Sequence, residues 1–419
     1  IRAFARSYDL LSRDETGVLP ESTLSPADGV TSYEKLDEVA PEAELLGESV
    51  LNKLNGGLGT SMGLQKAKSL LEVRDGENFL DLIVRQLLGL REATGVQVKF
   101  LLMNSFSTSA DTLAYLERYA ESGLAGADEV ELLQNQVPKI DAASLGPVEW
   151  SADPALEWCP PGHGDLYPAL MGSGWLDRLL GAGIKYAFVS NSDNLGAVLD
   201  ARILSYFARS GAPFLMEVTR RTESDRKGGH LARRKCDGRL ILREVAQCPE
   251  EDLESFQDIE RHRFFNTNNL WLRLDRLKEV MEESGGLLPL PMLRNSKTVD
   301  PRDKSSTPVF QLETAMGAGI ECFDGAVALD VPRTRFAPVK STSDLLALRS
   351  DAYEVRSDGS VALVAERDGL PPVISLSEDY KMVDALSGLG VPSLREARAL
   401  TVEGPVRFED GVVIKGEVR

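Results

Sequence analysis

The chain has 419 residues, 42% apolar and 27% charged, a mix that suits two or three folded domains with a sizeable core. Its net charge of −18, from 47 basic and 65 acidic residues, argues against the basic surface on which nucleic-acid or membrane binding relies. No apolar run approaches the roughly 20 residues of a membrane span, and no signal peptide is visible. The four cysteines (Cys159, Cys236, Cys248, Cys322) are scattered without CxxC pairing, so a reducing, cytoplasmic setting is expected.

Residues 1–45 are acidic and irregular, with Pro20, Pro26 and Pro41, and read as a loosely helical N-terminal segment. From 46 to 350 short apolar runs alternate with amphipathic stretches, which predicts an α/β domain: a Rossmann-like, mixed but mainly parallel sheet covered on both faces. Within it Val50 to Leu54 reads as a strand, followed by L-N-G-G-L-G-T-S-M-G-L-Q-K-A-K from Leu54 to Lys68. Glycines at this density let the backbone present N–H groups to an anion. The loop is neither a Walker A motif nor GxGxxG with its distant acidic residue. Phe79 to Leu90 and Trp175 to Leu180 have helical spacing; Val96 to Asn104 and Lys185 to Ser190 read as buried strands. Ligands in such sheets gather beyond the carboxyl ends of the strands, which draws attention to Asn191 and Asp193. Residues 351–419 differ. Leu400, Val406, Val412 and Val418, and again Val402, Phe408 and Ile414, recur with a period of six, the pattern of a hexapeptide β-helix, with an ordinary β-meander as the alternative.

Several motifs in order then carry a resemblance. GGLGTSMG with its lysine is similar to the eukaryotic-type UDP-glucose pyrophosphorylases, within the sugar nucleotidyltransferase group. So are QNQVPKI (134–140), PPGHGD (160–165), NSDNLGA (191–197), KGG (227–229), EVAQ (244–247), FNTNNLWL (265–272), QLETAMGAGI and VPRTRFAPVKSTSDLL. Together they span roughly residues 48 to 353. The resemblance implies a uridylyltransferase that converts UTP and glucose 1-phosphate to UDP-glucose and pyrophosphate, with a C-terminal left-handed β-helix-like tail. Two departures stand out: Lys66-Ala67 replaces a usual Gly-Pro, and Ser296 replaces a proline in an N-P-K segment.

That chemistry is an in-line displacement between two anions, so the protein must align phosphates and neutralise charge. Two unit charges 4 Å apart interact by about 4 kcal/mol at an effective dielectric of about 20, so cations are required. Lys68, at the end of the glycine loop, is the first candidate, and by resemblance Lys340 is the second, both as catalytic residues. Asp193 is the candidate Mg²⁺ ligand, with a helix N-cap before Leu195 as the competing role for this residue type. The resemblance places the nucleotide on Leu54, Asn55, Gly56, Gly57, Gln134, Gly162 and Asn191, with Lys68, Asp193 and Lys340 at its phosphates. It places the sugar phosphate on His163, Gly229, Glu244, Asn266 and Asn268. A UDP-N-acetylhexosamine or broad UDP-sugar pyrophosphorylase is the neighbouring alternative, and a non-catalytic UDP-sugar sensor the alternative of a different class. The sequence leaves oligomeric state open.

Overall fold

The computed structural model describes residues 1–15 and 17–419. Strands β1 (Ser49–Asn55), β2 (Lys99–Asn104), β3 (Glu131–Leu133), β4 (Tyr186–Asn191), β5 (Phe214–Arg220), β6 (Phe264–Arg273) and β7 (Val327–Asp330) belong to an 11-stranded sheet. Across it the order is Thr31–Ser32, β7, β5, β6, β4, β1, β2, β3. Strands β4, β1, β2 and β3 run parallel, as do β5 and β7, while β6 is antiparallel to both neighbours. The sheet is therefore mixed and mainly parallel. The helices that position it are α1 (Arg2–Ser12), α2 (Phe79–Thr94), α3 (Leu166–Gly172), α4 (Trp175–Gly181), α5 (Ala201–Ser210), α6 (Leu274–Glu283) and α7 (Thr342–Arg349).

Alternate residues of each strand feed two separate cores, which is what continuous apolar runs in a sheet buried on both faces require. Leu51, Phe100, Leu102 and Phe188 point to one face and meet Phe79, Ile83, Val84 and Leu87 of α2, Phe207 of α5 and Leu345 of α7. Val50, Leu101, Met103, Ala187 and Val189 point to the other and meet Leu170 of α3, Leu176 of α4 and Leu277 of α6. Truncating Phe188, fully buried against Trp271, to alanine would cost about 3–5 kcal/mol. Helix α2 begins with a capping box between Asn78 and Asp81 and ends at Thr94, four residues beyond the expected end at Leu90, with Gly95 behind it in the left-handed region. Strand β2 starts at Lys99 rather than Val96, because the Val98 N–H turns back to the Val96 carbonyl.

The N-terminal segment is drawn into the sheet. Leu24–Pro26 pairs with the strand His230–Arg234, and Thr31–Ser32 pairs with β7. At the other end β8 (Val373–Leu376), β9 (Ser393–Val402) and β10 (Val413–Val418) form a parallel three-stranded sheet. Leu400 lies beside Val418, so strands three six-residue repeats apart stack directly, as in a coil. Leu400, Val402 and Ile414 join the same core as α2 and α7, Phe408 and Val412 are half-buried against it, and Val406 and Val418 lie at the surface. This three-stranded sheet thus packs on the main sheet's helical layer. No helix among the described residues is long and apolar enough to cross a membrane.

Candidate active site

The carboxyl ends of β1 and β4 lie side by side, with Leu54 opposite Asn191, and beyond them opens a cavity of about 400 Å³. It is lined by Leu54, Gly56, Gly57, Lys68, Gln134, Gly162, His163, Asn191, Asp193 and Lys340, so motifs far apart in sequence face one space. The ends of β1 and β4 are tied by the Ser192 N–H on the Leu54 carbonyl, 3.0 Å. Asn55 spends its side chain inward instead. Its amide donates to Asn104 Oδ1 (2.8 Å) and Thr112 Oγ1 (2.9 Å), which leaves only its backbone to serve a ligand.

Asp193 is the charge centre. Its Oδ2 accepts from Lys68 Nζ at 2.8 Å and from Lys340 Nζ at 2.7 Å. Burial pushes the Asp193 carboxyl up, but the charges of Lys340 and Lys68 outweigh it and hold it below the usual carboxylate range. Its Oδ1 is buried without a hydrogen-bond partner among the described residues. A buried, ionised oxygen without a partner has the chemistry of a ligand for a hard cation such as Mg²⁺, which takes one or two carboxylates and leaves its remaining positions to waters and phosphates. The N-cap role expected as the alternative belongs elsewhere. No helix follows Asp193, and the cap of α5 is Asp200, whose Oδ1 accepts from Arg202 N–H at 2.8 Å. Lys68 opens a 3₁₀ turn (Lys68–Leu70) before the short strand Glu72–Arg74, and also donates to the Val339 carbonyl, joining the glycine loop to the Lys340 loop.

Gly162 sits at φ +80°, and a Cβ there would lie 2.6 Å from the Thr314 carbonyl, so only glycine lets this loop press against its neighbour. Asp165 holds the facing loop: its carboxylate accepts from the Asn135 N–H (2.6 Å) and side-chain amide (3.0 Å), which sets Gln134 opposite Gly162. Burial lifts the Asp165 carboxyl to about 6. His163 Nδ1 accepts the Met316 N–H at 2.9 Å, so the neutral ring carries its proton on Nε2. Burial, aided by the nearby Lys340 charge, pushes the ring down to about 4. In this tautomer Nε2 is free to donate.

Of the expected sugar contacts His163 lines this cavity, whereas Gly229, Glu244, Asn266 and Asn268 form a second cluster that does not. Asn266 and Asn268 bond one another (2.9 Å, side chain to side chain and side chain to backbone) on a bulge of β6 where Asn268 adopts φ +58°. A Cβ on Gly229 would lie 2.6 Å from the Glu244 carboxylate, so the group that closely approaches this glycine is Glu244 itself. Burial raises the Glu244 carboxyl. Met316–Gly317 bridges the two clusters: Met316 holds His163, and a Cβ on Gly317 would lie 2.9 Å from Asn266 Nδ2.

Several lining residues escaped sequence reasoning. Gln311 and Glu313 face the cavity because they alternate with the inward Phe310 and Leu312 on the strand Pro308–Glu313. The period-two pattern of QLE could have marked them, but nothing local says which face meets a ligand. Lys53 does not line the cavity but lies fully buried beneath it, donating to Ser190 Oγ (2.8 Å) and the Ala197 carbonyl, which closes the base of the Asp193 loop. Burial, with Arg335 nearby, pushes it down to about 7.

The family model described as UTP–glucose-1-phosphate uridylyltransferase matches residues 2–415. The UTP–glucose-1-phosphate uridylyltransferase of Solanum tuberosum is 42% identical over 397 residues, 93% of this chain and 81% of that protein. That of Saccharomyces cerevisiae is 41% identical over 397 residues, 93% of this chain and 77% of that protein. Among solved structures, a UDP-glucose pyrophosphorylase variant from Leishmania major in complex with UDP-glucose superposes with a TM-score of 0.93 at 50% identity. That match covers 99% of this chain and 89% of that one. A structure described as UDP-glucose phosphorylase from Trypanosoma brucei matches with the same TM-score, identity and coverage.

Proposed function

This chain belongs to the UTP–glucose-1-phosphate uridylyltransferase family, and on that premise we propose how its cavity joins UTP to glucose 1-phosphate, giving UDP-glucose and pyrophosphate. A phosphate oxygen of glucose 1-phosphate forms the new bond to the α-phosphorus of UTP. The bridging bond to the β-phosphorus breaks, and its electron pair leaves with pyrophosphate. No proton transfer is needed, which suits a site whose histidine is held neutral.

The observation that carries the reading is the pair of ammonium groups converging on Asp193 from loops remote in sequence. Lys68, mostly buried, meets the UTP phosphates from the glycine loop. Lys340, with 59% of its side chain exposed, swings from Asp193 onto the reacting phosphates and meets the charge that develops there. Leu54, Asn55, Gly56 and Gly57 offer backbone groups to the uracil edge, with the Gln134 amide and Gly162. His163 Nε2–H donates to the sugar phosphate. Glu244, Asn266, Asn268 and the Gly229 backbone hold the glucose hydroxyls. Asp193 Oδ1 and, beside it, Asn191 are the groups that would hold Mg²⁺ and nucleotide, the ion supplying charge neutralisation at the phosphates. The unpaired state of all four cysteines supports a cytoplasmic setting, and the six-residue recurrence supports a left-handed coil for the tail. We divide the chain at 1–45, 46–350 and 351–419.

The test is pyrophosphate release from UTP with glucose 1-phosphate, galactose 1-phosphate and N-acetylglucosamine 1-phosphate in parallel. Fastest turnover with glucose 1-phosphate is expected. UDP-glucose binding without turnover of any of the three would replace the enzyme reading with that of a sensor.

A further inference from the structure

Glu217 lies in the centre of the sheet, beside the bulge between β5 and β6, with its carboxylate fully buried. It accepts from Arg335 Nε (2.8 Å) and Nη2 (2.7 Å), Trp271 Nε1 (2.9 Å) and Asn269 Nδ2 (3.0 Å). A buried ion pair seldom adds stability over apolar packing of the same volume, because both ions lose their hydration. Its placement here has a different consequence. Arg335 Nη2 also donates to the Val198 carbonyl at 2.9 Å, and the Arg335 carbonyl accepts from Asn194 Nδ2 at 3.1 Å. Asn194 Oδ1 accepts the Ala337 N–H (3.1 Å), and the Asp193 carbonyl accepts the Val339 N–H (3.1 Å). The loop that carries Asp193 and the loop that carries Lys340 are thus laced together at successive residues, and the lacing is anchored in the sheet through Arg335 and Glu217.

We propose that Glu217, Arg335 and Asn194 form a positioning clamp that fixes the backbone of Lys340 relative to Asp193 for phosphoryl transfer. The inference rests on the reading of Lys340 given above. Lysine is a long, flexible side chain, and Lys340 is largely exposed, so no packing around its stem sets where the ammonium falls. Once the ammonium leaves Asp193 for the phosphates its position follows from the backbone origin, and a displacement of about 1 Å in a reacting group costs on the order of a hundredfold in rate. The clamp acts through Lys340 and touches no substrate.

Arg335→Lys tests this, because lysine keeps the charge but cannot hold Glu217 with two bonds and reach Val198 as well. Expected is a fall in kcat of about tenfold or more with KM for UTP changed less than about threefold. In a Lys340→Met background the same substitution should change kcat by less than about twofold, because the group it positions is gone. Asn194→Ser, which leaves the ion pair whole but cuts the lacing, should behave in the same way, and it serves should Arg335→Lys not fold. Equal losses in both backgrounds, or a loss expressed in KM alone, would overturn the clamp while leaving Lys340 in place. An undiminished kcat in Lys340→Met by itself would refute the role of Lys340, and the clamp with it.

Discussion

Replacing Asp193 with asparagine removes one negative charge from between two ammonium groups and keeps the shape of the side chain. In the native protein its Oδ2 accepts two charge-assisted hydrogen bonds, at 2.8 and 2.7 Å, each worth about 1.5–3 kcal/mol net. The share of Lys340 is reduced by solvent, since its side chain is 59% exposed. An amide oxygen in the place of Oδ2 still accepts from both lysines but without charge assistance, so roughly half of each bond is lost, together with the anionic ligand that the orphaned Oδ1 offers a metal. The sum is about 2–4 kcal/mol of transition-state stabilisation, or roughly 30- to 900-fold in kcat/KM. The fold should persist, because the residue lies on a loop beyond β4. The assay is initial rate titrated against free Mg²⁺ for both proteins, repeated with Mn²⁺, whose preferences tolerate an amide oxygen better. A shifted Mg²⁺ requirement with partial recovery at high metal is expected. Stability adds a second readout. The Asp193 carboxyl is held below its unfolded value of about 3.8, so its contribution is present above that pH and is lost as pH falls through the folded value. The variant should lack this part of the acid limb. Near-normal rates with superimposable Mg²⁺ curves would refute the argument.

Gln134→Ala should narrow the preference for UTP over CTP and ATP, which in the native enzyme is expected to reach at least about tenfold in kcat/KM; equal use of ATP by the native enzyme would remove the uracil reading. His163, held near 4 when folded against about 6.5 unfolded, contributes stability that is whole above about 6.5 and lost as pH falls toward 4. Denaturant midpoints of native and His163→Gln proteins should therefore converge across that window, and activity should show no break near 6.5. Ala67 already holds φ −50°, within proline's range, so Ala67→Pro should raise stability by about 0.4–1 kcal/mol in chemical denaturation and lower KM for UTP.

Much of the local structure was legible because it rests on neighbours in sequence. The Leu54–Lys68 loop, the strands that end at Asn104 and Asn191, and helix α2 each follow from glycine freedom, a continuous apolar run or helical spacing within a few residues. The six-residue recurrence at Leu400 and Val418 marks two residues that lie side by side in a parallel strand pair. The N-terminal segment was read less well. Thr31–Ser32 is too short to carry an alternation, and it becomes a strand only because β7 offers an open edge.

The sequence by itself determined which chemical groups the site would contain: a glycine loop ending in Lys68, an acid just beyond a strand at Asp193, a second lysine at Lys340, and a histidine flanked by glycines. Only the tertiary structure decided how they meet. That both lysines share one oxygen of Asp193, that Asn55 turns inward to Asn104, that Glu244 crowds Gly229, and that Glu217 reaches Arg335 across more than a hundred residues depends on strand order and register. The physical reason is range. Propensity, capping and periodicity act over a few residues, whereas a buried charge finds its partner wherever the sheet brings one within about 3 Å, and burial then sets its ionisation.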